Sequence, residues 1–241
     1  MHREEKSFED MMQQTVGEFV AGDYRTAAVF ERHGIDFCCG GNVTLDEACQ
    51  EKGVEPTQLL REVTEATAQP LERGQNFATW ELGFLADYIV NTHHTYVREE
   101  SGTIAGYARK IAEVHGGRHP ELLQIADIFD RIAAELKQHM HDEEETLFPA
   151  VRRLSAAGRE GTGAAAEMDA LRSSLRTLRH EHDQVGAAIH EIRALAHDYA
   201  VPDDACTTFT LTYRKLEEFE DDLHLHVHLE NNILFPKAEK L

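Results

Sequence analysis

Residues 139–149 read HMHDEEETLFP, and residues 226–236 read HVHLENNILFP. Both fit one pattern, H-x-H-x-E-x-x-x-L-F-P, and the match extends upstream: Glu135 answers Asp222, Leu136 answers Leu223, and Ile132 answers Phe219. At about 100° per residue, positions i and i+4 share one face of a helix. In the second copy Leu216, Phe219, Leu223, Val227 and Leu234 form an apolar stripe, and His226 and Glu230 fall inside it. His224 and His228 turn roughly 90° or more away. In the first copy Ile128, Ile132, Leu136 and Leu147 form the stripe, with His139 and Glu143 inside it and His141 nearly opposite. A carboxylate on a core face is costly unless it is paired or bound to a metal. Two helices that each project such a His/Glu pair inward predict a metal site in a helical bundle.

Working outward, composition narrows the function classes. The 241 residues suffice for one bundle and a small additional domain. Lys and Arg total 24 against 44 Asp and Glu, a net charge of −20, which argues against nucleic acid as a partner. No apolar run reaches the length of a membrane span, and the N-terminus, MHREEKSFEDMM, is charged rather than signal-like. Cys38, Cys39, Cys49 and Cys206 match neither a zinc ribbon nor a secreted disulfide framework, so a cytoplasmic protein is expected.

Residues 8–31 read as two short helices broken at Gly22-Asp23. HGIDFCCGG, residues 33–41, follows; its glycines place Cys38 and Cys39 in a tight turn. Those thiols are either small buried side chains in a reducing compartment or a pair for redox or soft-metal chemistry. Helices are predicted from Thr44, with Glu47 completing a capping box, and from Pro56 to Gln69. The expected division is a small helical domain over 1–69, a linker over 69–77, and a bundle over 78–241.

Four long helices are expected in the bundle. Leu82 to Glu100 carries His93 and His94; periodicity favours His93 as the inward residue and leaves His94 at the stripe's edge. Ser101-Gly102 weakens the helix before it resumes to Val114 and His115. His115 lies 21 residues past His94, about 31 Å on a continuous helix, so both reach one centre only if the chain bends near Gly102. The first repeat helix spans 121–149 and stops at Pro149; a Gly/Ala-rich loop covers 155–166. Met168 to Tyr199 presents His182 inward beside Leu178 and Val185, with His180 and Glu181 pointing elsewhere. Thr207 to Pro236 holds the second repeat, and no strand is predicted. About five His and two Glu are too many for one zinc and too rich in nitrogen for Mg²⁺ or Ca²⁺. Imidazole with bridging carboxylate suits two iron ions.

DFCCGG, HxxxExxxLFP, EHD and HxxxENNxLFP, in this order, resemble the di-iron proteins of iron–sulfur cluster repair, the repair-of-iron-centres family. The likeness covers nearly the whole chain. It implies an all-α protein, a hemerythrin-like up-down four-helix bundle preceded by the double-cysteine domain. It also implies two iron ions in an oxo-bridged centre with His94, His115, His139, Glu143, His182, His226 and Glu230 as ligands. His94 is preferred over His93 because Arg98 then falls at the family's +4 position, and Cys38 and Cys39 match the double cysteine, with thiol or iron transfer as their role. Ser101-Gly102 departs from the Leu-Pro of the family pattern. The partners implied are damaged iron–sulfur proteins under nitrosative or oxidative stress, with NO or O₂ as small ligands, and the likeness admits a homodimer. Reduction of NO is the enzymatic version of this reading. A hemerythrin-like carrier or sensor of O₂ or NO, without turnover, is the alternative; a ferritin-like iron oxidase fits the His-rich set less well.

Overall fold

The computed structural model describes residues 7–68, 76–157 and 164–241. The expected linker falls almost wholly outside the described residues, as does the middle of the loop expected over 155–166. The chain is all-α. Among the described residues the sole β-type pairing is an isolated bridge between Thr15 and Thr44. No described helix is long and apolar enough to cross a membrane.

Two compact units emerge, Met1–Glu81 with Val227–Lys237, and Leu82–His226 with Ala238–Leu241. Residues 227–237, which the sequence reading assigns to the bundle, thus group with the N-terminal unit.

The N-terminal unit contains α1 (Phe8–Met12), α2 (Val16–Gly22), α3 (Ala27–Arg32), α4 (Leu45–Lys52) and α5 (Pro56–Ala66). Three helices stand where two were expected before residue 32, because Thr15 starts a helix of its own. Its hydroxyl accepts from Glu18 N–H while the Glu18 carboxylate accepts from Thr15 N–H. Thr44 and Glu47 repeat that reciprocal cap at α4, as the sequence predicts. The two caps lie side by side: Val16 N–H donates to Val43 O and Leu45 N–H to Gln14 O. Val16, Phe30, Phe37, Leu45 and Leu59 are fully or almost fully buried and make the core of this unit.

The second unit is built from long helices. They are α6 (Leu82–Ile89) running on into α7 (Thr95–His115), α8 (Glu121–Asp142) running on into α9 (Phe148–Ala157), α10 (Ala164–Leu195) and α11 (Thr207–His228). A last short helix, α12 (Phe235–Ala238), follows α11. Helix α8 packs against α7 and α10. The apolar stripe of α8 is buried along its length, from Leu122 through Ile125, Phe129 and Ile132 to Leu136.

Pro149 and Pro236 do not end their helices. Each follows a widened π-turn, Glu143–Leu147 in one copy and Leu229–Leu234 in the other. In the first, Phe148 N–H reaches back five residues to Glu143 O; in the second, Phe235 N–H reaches Glu230 O. The wide turn has already shifted the hydrogen-bond register, so a proline that lacks N–H just beyond it is accommodated and the helix continues.

Candidate metal centre

A third π-turn, Val90–His94, joins α6 to α7, and Thr95 N–H closes it on Val90 O. One extra residue in the turn breaks the 3.6-residue period, so His93 and His94 are both buried. They do different work. His94 points Nε2 at His226 Nε2, 3.2 Å away. His93 stacks on the His226 ring at 5.6 Å and contacts Asp222 through Nδ1 at 2.9 Å. The residue preferred from family register, not the one preferred from periodicity, stands among the converging nitrogens.

Five side chains of the bundle meet in its interior. His94, Glu143 and His226 present ligand atoms within 4.8 Å of one another, and so do His139, Glu143 and His182. Within the second group His182 Nε2 lies 2.9 Å from His139 Nε2. Glu143, fully buried, offers one oxygen to each group: Oε2 is 3.3 Å from His94 Nε2 and Oε1 is 3.4 Å from His139 Nε2. Glu230 lies one helical turn beyond His226 on the same face and is also fully buried.

The outer nitrogens explain why the inner ones converge. His94 Nδ1 is 2.6 Å from Glu144 Oε1, and His139 Nδ1 is 2.7 Å from Glu181 Oε2. A carboxylate at Nδ1 keeps the proton there and leaves Nε2 as a lone-pair donor, the usual support of a metal-ligating histidine. Paired Nε2 atoms about 3 Å apart, with a buried carboxylate oxygen beside each pair, are the donor set of a cation. The residues therefore fit metal at two adjacent positions. Burial pushes Glu144 up, but hydrogen bonds from His94 and Arg98 outweigh it and hold this carboxyl below the usual range. The hydrogen bond from His139 likewise depresses Glu181.

Sequence reading missed Glu144 and Glu181 as partners of His94 and His139 and set Glu181 aside as pointing elsewhere. They follow Glu143 and precede His182 directly, yet the histidines they serve lie on other helices. Arg98, used above only to fix register, also bonds Glu144.

His115 is not brought to this site. Helix α7 runs unbroken from Thr95 to His115 through Ser101-Gly102. The bend that would have returned His115 to the centre is absent, and its Nε2 faces Cys206 Sγ at 3.2 Å instead.

Cys38 and Cys39 belong to the N-terminal unit. Asp36 Oδ1 accepts from the backbone N–H of Cys38 at 2.9 Å and of Cys39 at 3.1 Å, which folds the turn around one carboxylate. The Cys38 thiol donates to the same oxygen at 3.3 Å and lies 3.9 Å from Cys39 Sγ. Hydrogen bonding to Cys39 and then burial push Cys38 well above the ordinary thiol range, so it holds its proton at neutral pH. Cys39 is the more accessible sulfur. Asp36, Cys38 and Cys39 present ligand atoms within 4.8 Å of one another.

The second repeat secures this turn. Asn232 donates to Phe37 O at 3.0 Å and Asn231 to Cys38 O at 3.3 Å. His228 is fully buried between Tyr24 and Phe37, its Nδ1 3.0 Å from Asn232 Nδ2. Periodicity placed His228 off the apolar stripe, which is where it lies, but this second face is covered too. Close backbone approach makes glycine obligatory at two positions here. A Cβ on Gly41 would stand 2.2 Å from Phe37 O, and one on Gly17 would stand 2.9 Å from Gly41 O.

With this geometry in place, comparison with known proteins assigns both parts. Residues 12–67 match a domain of unknown function, DUF542, and residues 85–238 match the hemerythrin HHE cation-binding domain. The chain is 34% identical over 223 residues to the iron–sulfur cluster repair protein ScdA of Staphylococcus haemolyticus, covering 92% of this chain and 96% of the relative. It is 30% identical to a probable iron–sulfur cluster repair protein of Haemophilus influenzae, over 94% of this chain and 96% of the relative. It is 31% identical to the repair protein YtfE of an Enterobacter species, over 93% and 96%. A buried imidazole–carboxylate site in one unit and a double-cysteine turn in the other, matched over almost the full length of these relatives, place the chain in the iron–sulfur cluster repair protein family.

Proposed function

We propose that this chain restores damaged iron–sulfur clusters by holding iron in the bundle and giving it up, with Cys38 and Cys39 taking part in the transfer. The observation that carries the reading is Glu143, whose two oxygens face two different His pairs. Two iron ions, oxo-bridged at rest, would be held by His94, His226 and Glu143, and by His139, His182 and Glu143, with Glu230 as the second shared carboxylate. Bound there, iron supplies a redox-active cargo.

The chain's own residues hold that cargo and limit access to it. Glu144 and Glu181 hold the Nδ1 protons of His94 and His139, which fixes each ring's orientation and leaves its Nε2 lone pair facing inward. Glu144 also lines an open surface depression with Arg98, Lys137, Gln138 and His141. This depression is the path by which a chelating group would reach His94, by drawing Glu144 away first. In the N-terminal unit, Asp36, Cys38 and Cys39 combine one carboxylate with two thiols, a set suited to receiving iron in transit.

The test mixes the iron-loaded protein and a reductant with a [2Fe–2S] enzyme inactivated by NO or peroxide. Recovery of the client's activity, with matching loss of iron from the donor, is expected. Cys38→Ser and Cys39→Ser should retain their iron and transfer it more slowly. No recovery by an iron-loaded donor would sink the proposal, and recovery indifferent to both cysteines would remove the thiols from it. Consumption of NO without iron loss would favour NO reduction at the same centre.

A further inference from the structure

The pair left over from the metal site has chemistry of its own. We propose that Cys206 is an activated thiol, a modification site that exchanges with low-molecular-weight disulfides, with His115 as its proton acceptor. Cys206 is exposed, whereas Cys38 and Cys49 are buried and Cys39 is partly covered. His115 is only 7% exposed, and its Nε2 points at Cys206 Sγ from 3.2 Å. Its Nδ1 has no hydrogen-bond partner among the described residues, so the thiol is the one side-chain partner of this buried imidazole there. Phe209 closes the ring from the side at 5.5 Å. The imidazole is thereby fixed in one orientation, toward the sulfur.

Position in the fold adds a second influence. Cys206 immediately precedes α11, a 22-residue helix, and its carbonyl accepts from Thr210 N–H at 3.1 Å. The partial positive charge at a helix N-terminus favours a thiolate there. Among the charged groups named around the pair, three carboxylates stand against Arg118 and His119. Asp204 is held between Arg118 at 2.8 Å and His119 at 3.1 Å, and His119 also contacts Glu121 at 3.0 Å. Asp203 is exposed, so solvent screens its opposition to a thiolate. Tyr213, packed on Phe209, is pushed up to about 12 by burial and then by Glu121, and stays neutral.

The step balances with the disulfide as co-reactant. The Cys206 proton passes to His115 Nε2, and Sγ attacks one sulfur of the disulfide. A new S–S bond forms to Cys206 as the original S–S bond breaks. The departing sulfur leaves as a thiolate and takes the proton from His115. Cys206 is oxidised to a mixed disulfide and half of the small disulfide is reduced to a thiol.

The experiment treats the iron-loaded protein with an aromatic disulfide that releases a coloured thiolate, and maps the modified cysteine by peptide mass. Cys206 is expected to react first, at a rate that changes less than about threefold between pH 6 and pH 8. An ordinary thiol with a pKa of about 8.5 gains almost tenfold per pH unit over that range. His115→Gln should slow the reaction at pH 7 about tenfold and restore the steep profile, and Cys206→Ser should abolish the fast phase. A steep profile in the unaltered protein, or a fast phase that survives Cys206→Ser, overturns the proposal. Should His115→Gln fail to fold, the profile of the unaltered protein decides alone.

Discussion

The two copies of H-x-H-x-E-x-x-x-L-F-P agree on their inner face and differ on their outer one. Inside, His139 and Glu143 repeat as His226 and Glu230, all buried. Outside, His141, Glu144 and Glu145 of the first copy become His228, Asn231 and Asn232 of the second. His141 and Glu145 are exposed, and Glu144 braces His94. His228 is instead buried in the N-terminal unit, and both asparagines donate to carbonyls of the cysteine turn. The second copy keeps the buried His/Glu pair of the inner face and takes on a second task on the opposite side. That task calls for amide donors and a neutral ring rather than solvated carboxylates. Burial lowers His228 to about 3, so the ring stays neutral at ordinary pH.

The largest effect is expected on the inner face, where the copies should behave alike. Glu143→Leu should reduce bound iron from about two per chain to one or fewer. Metal analysis measures this. The equivalent change at Glu230 should do the same. If one glutamate alone proved dispensable for iron, the equivalence of the two copies would fail.

Next come the positions that differ. Glu144→Gln should weaken iron binding about 10–100-fold, since the carboxylate that fixes His94 is lost. Asn231→Ala, at the matching position, should leave iron affinity unchanged while loosening the turn at Cys38. Competition with a chelator measures the first. Thiol accessibility of Cys38 and Cys39 measures the second. Equal losses of iron at the two positions would erase the distinction drawn between the outer faces.

One step further along each copy, Asn232→Ala removes the donor to Phe37 O and leaves the amide partner of His228 missing. A cost of about 1–3 kcal/mol is expected for an orphaned buried group of this kind. Glu145→Ala, on the exposed face, should fall within about 0.5 kcal/mol of no change. Thermal denaturation with hydrogen exchange over Phe37–Gly41 distinguishes them.

What could be read in advance follows from where each piece of information resides. The His/Glu pairs are legible because their two members share one helix, and a polar group inside an apolar stripe has few explanations. Helix α10 announces His182 for the same reason: Leu171, Leu175, Leu178, Val185 and Ile189 around it are all buried. His93 and His94 could not be ordered by periodicity, because the turn that holds them does not have the period assumed. His115 was assigned, from the family's 21-residue separation, to a centre it does not join; that assignment required a bend near Gly102, and the helix runs straight through it. A glycine inside a helix costs only about 1 kcal/mol relative to alanine, and burial of Ile104, Ala108 and Ile111 just beyond it outweighs that. Glu144, Glu181, Asn231 and Asn232 act on residues distant in sequence, and no local pattern reports such partners.

The smallest expected effect separates the stability of the N-terminal unit from that of the repeat. Glu62 on α5 contacts His33 at 3.1 Å and Arg32 at 3.3 Å, tying α5 to the end of α3. Gln58, then His33, then Arg32 hold its carboxyl at about 2 by hydrogen bonding. A carboxyl whose folded pKa lies below its unfolded value binds a proton in the unfolded chain first. Its contribution is therefore complete above the unfolded value of about 4.3 and is lost as pH falls toward the folded one. The group lies at the surface, so the contribution is small and screened by salt. Hydrogen exchange of α5 amides should lose protection as pH falls from about 4.5 toward about 2, and Glu62→Gln should lack that component. Amides of α8 should not follow Glu62 at all. Parallel losses in α5 and α8, both removed by Glu62→Gln, would mean that acid melts one cooperative body, and the outer face of the second repeat would then belong energetically to the bundle as much as to the cysteine turn.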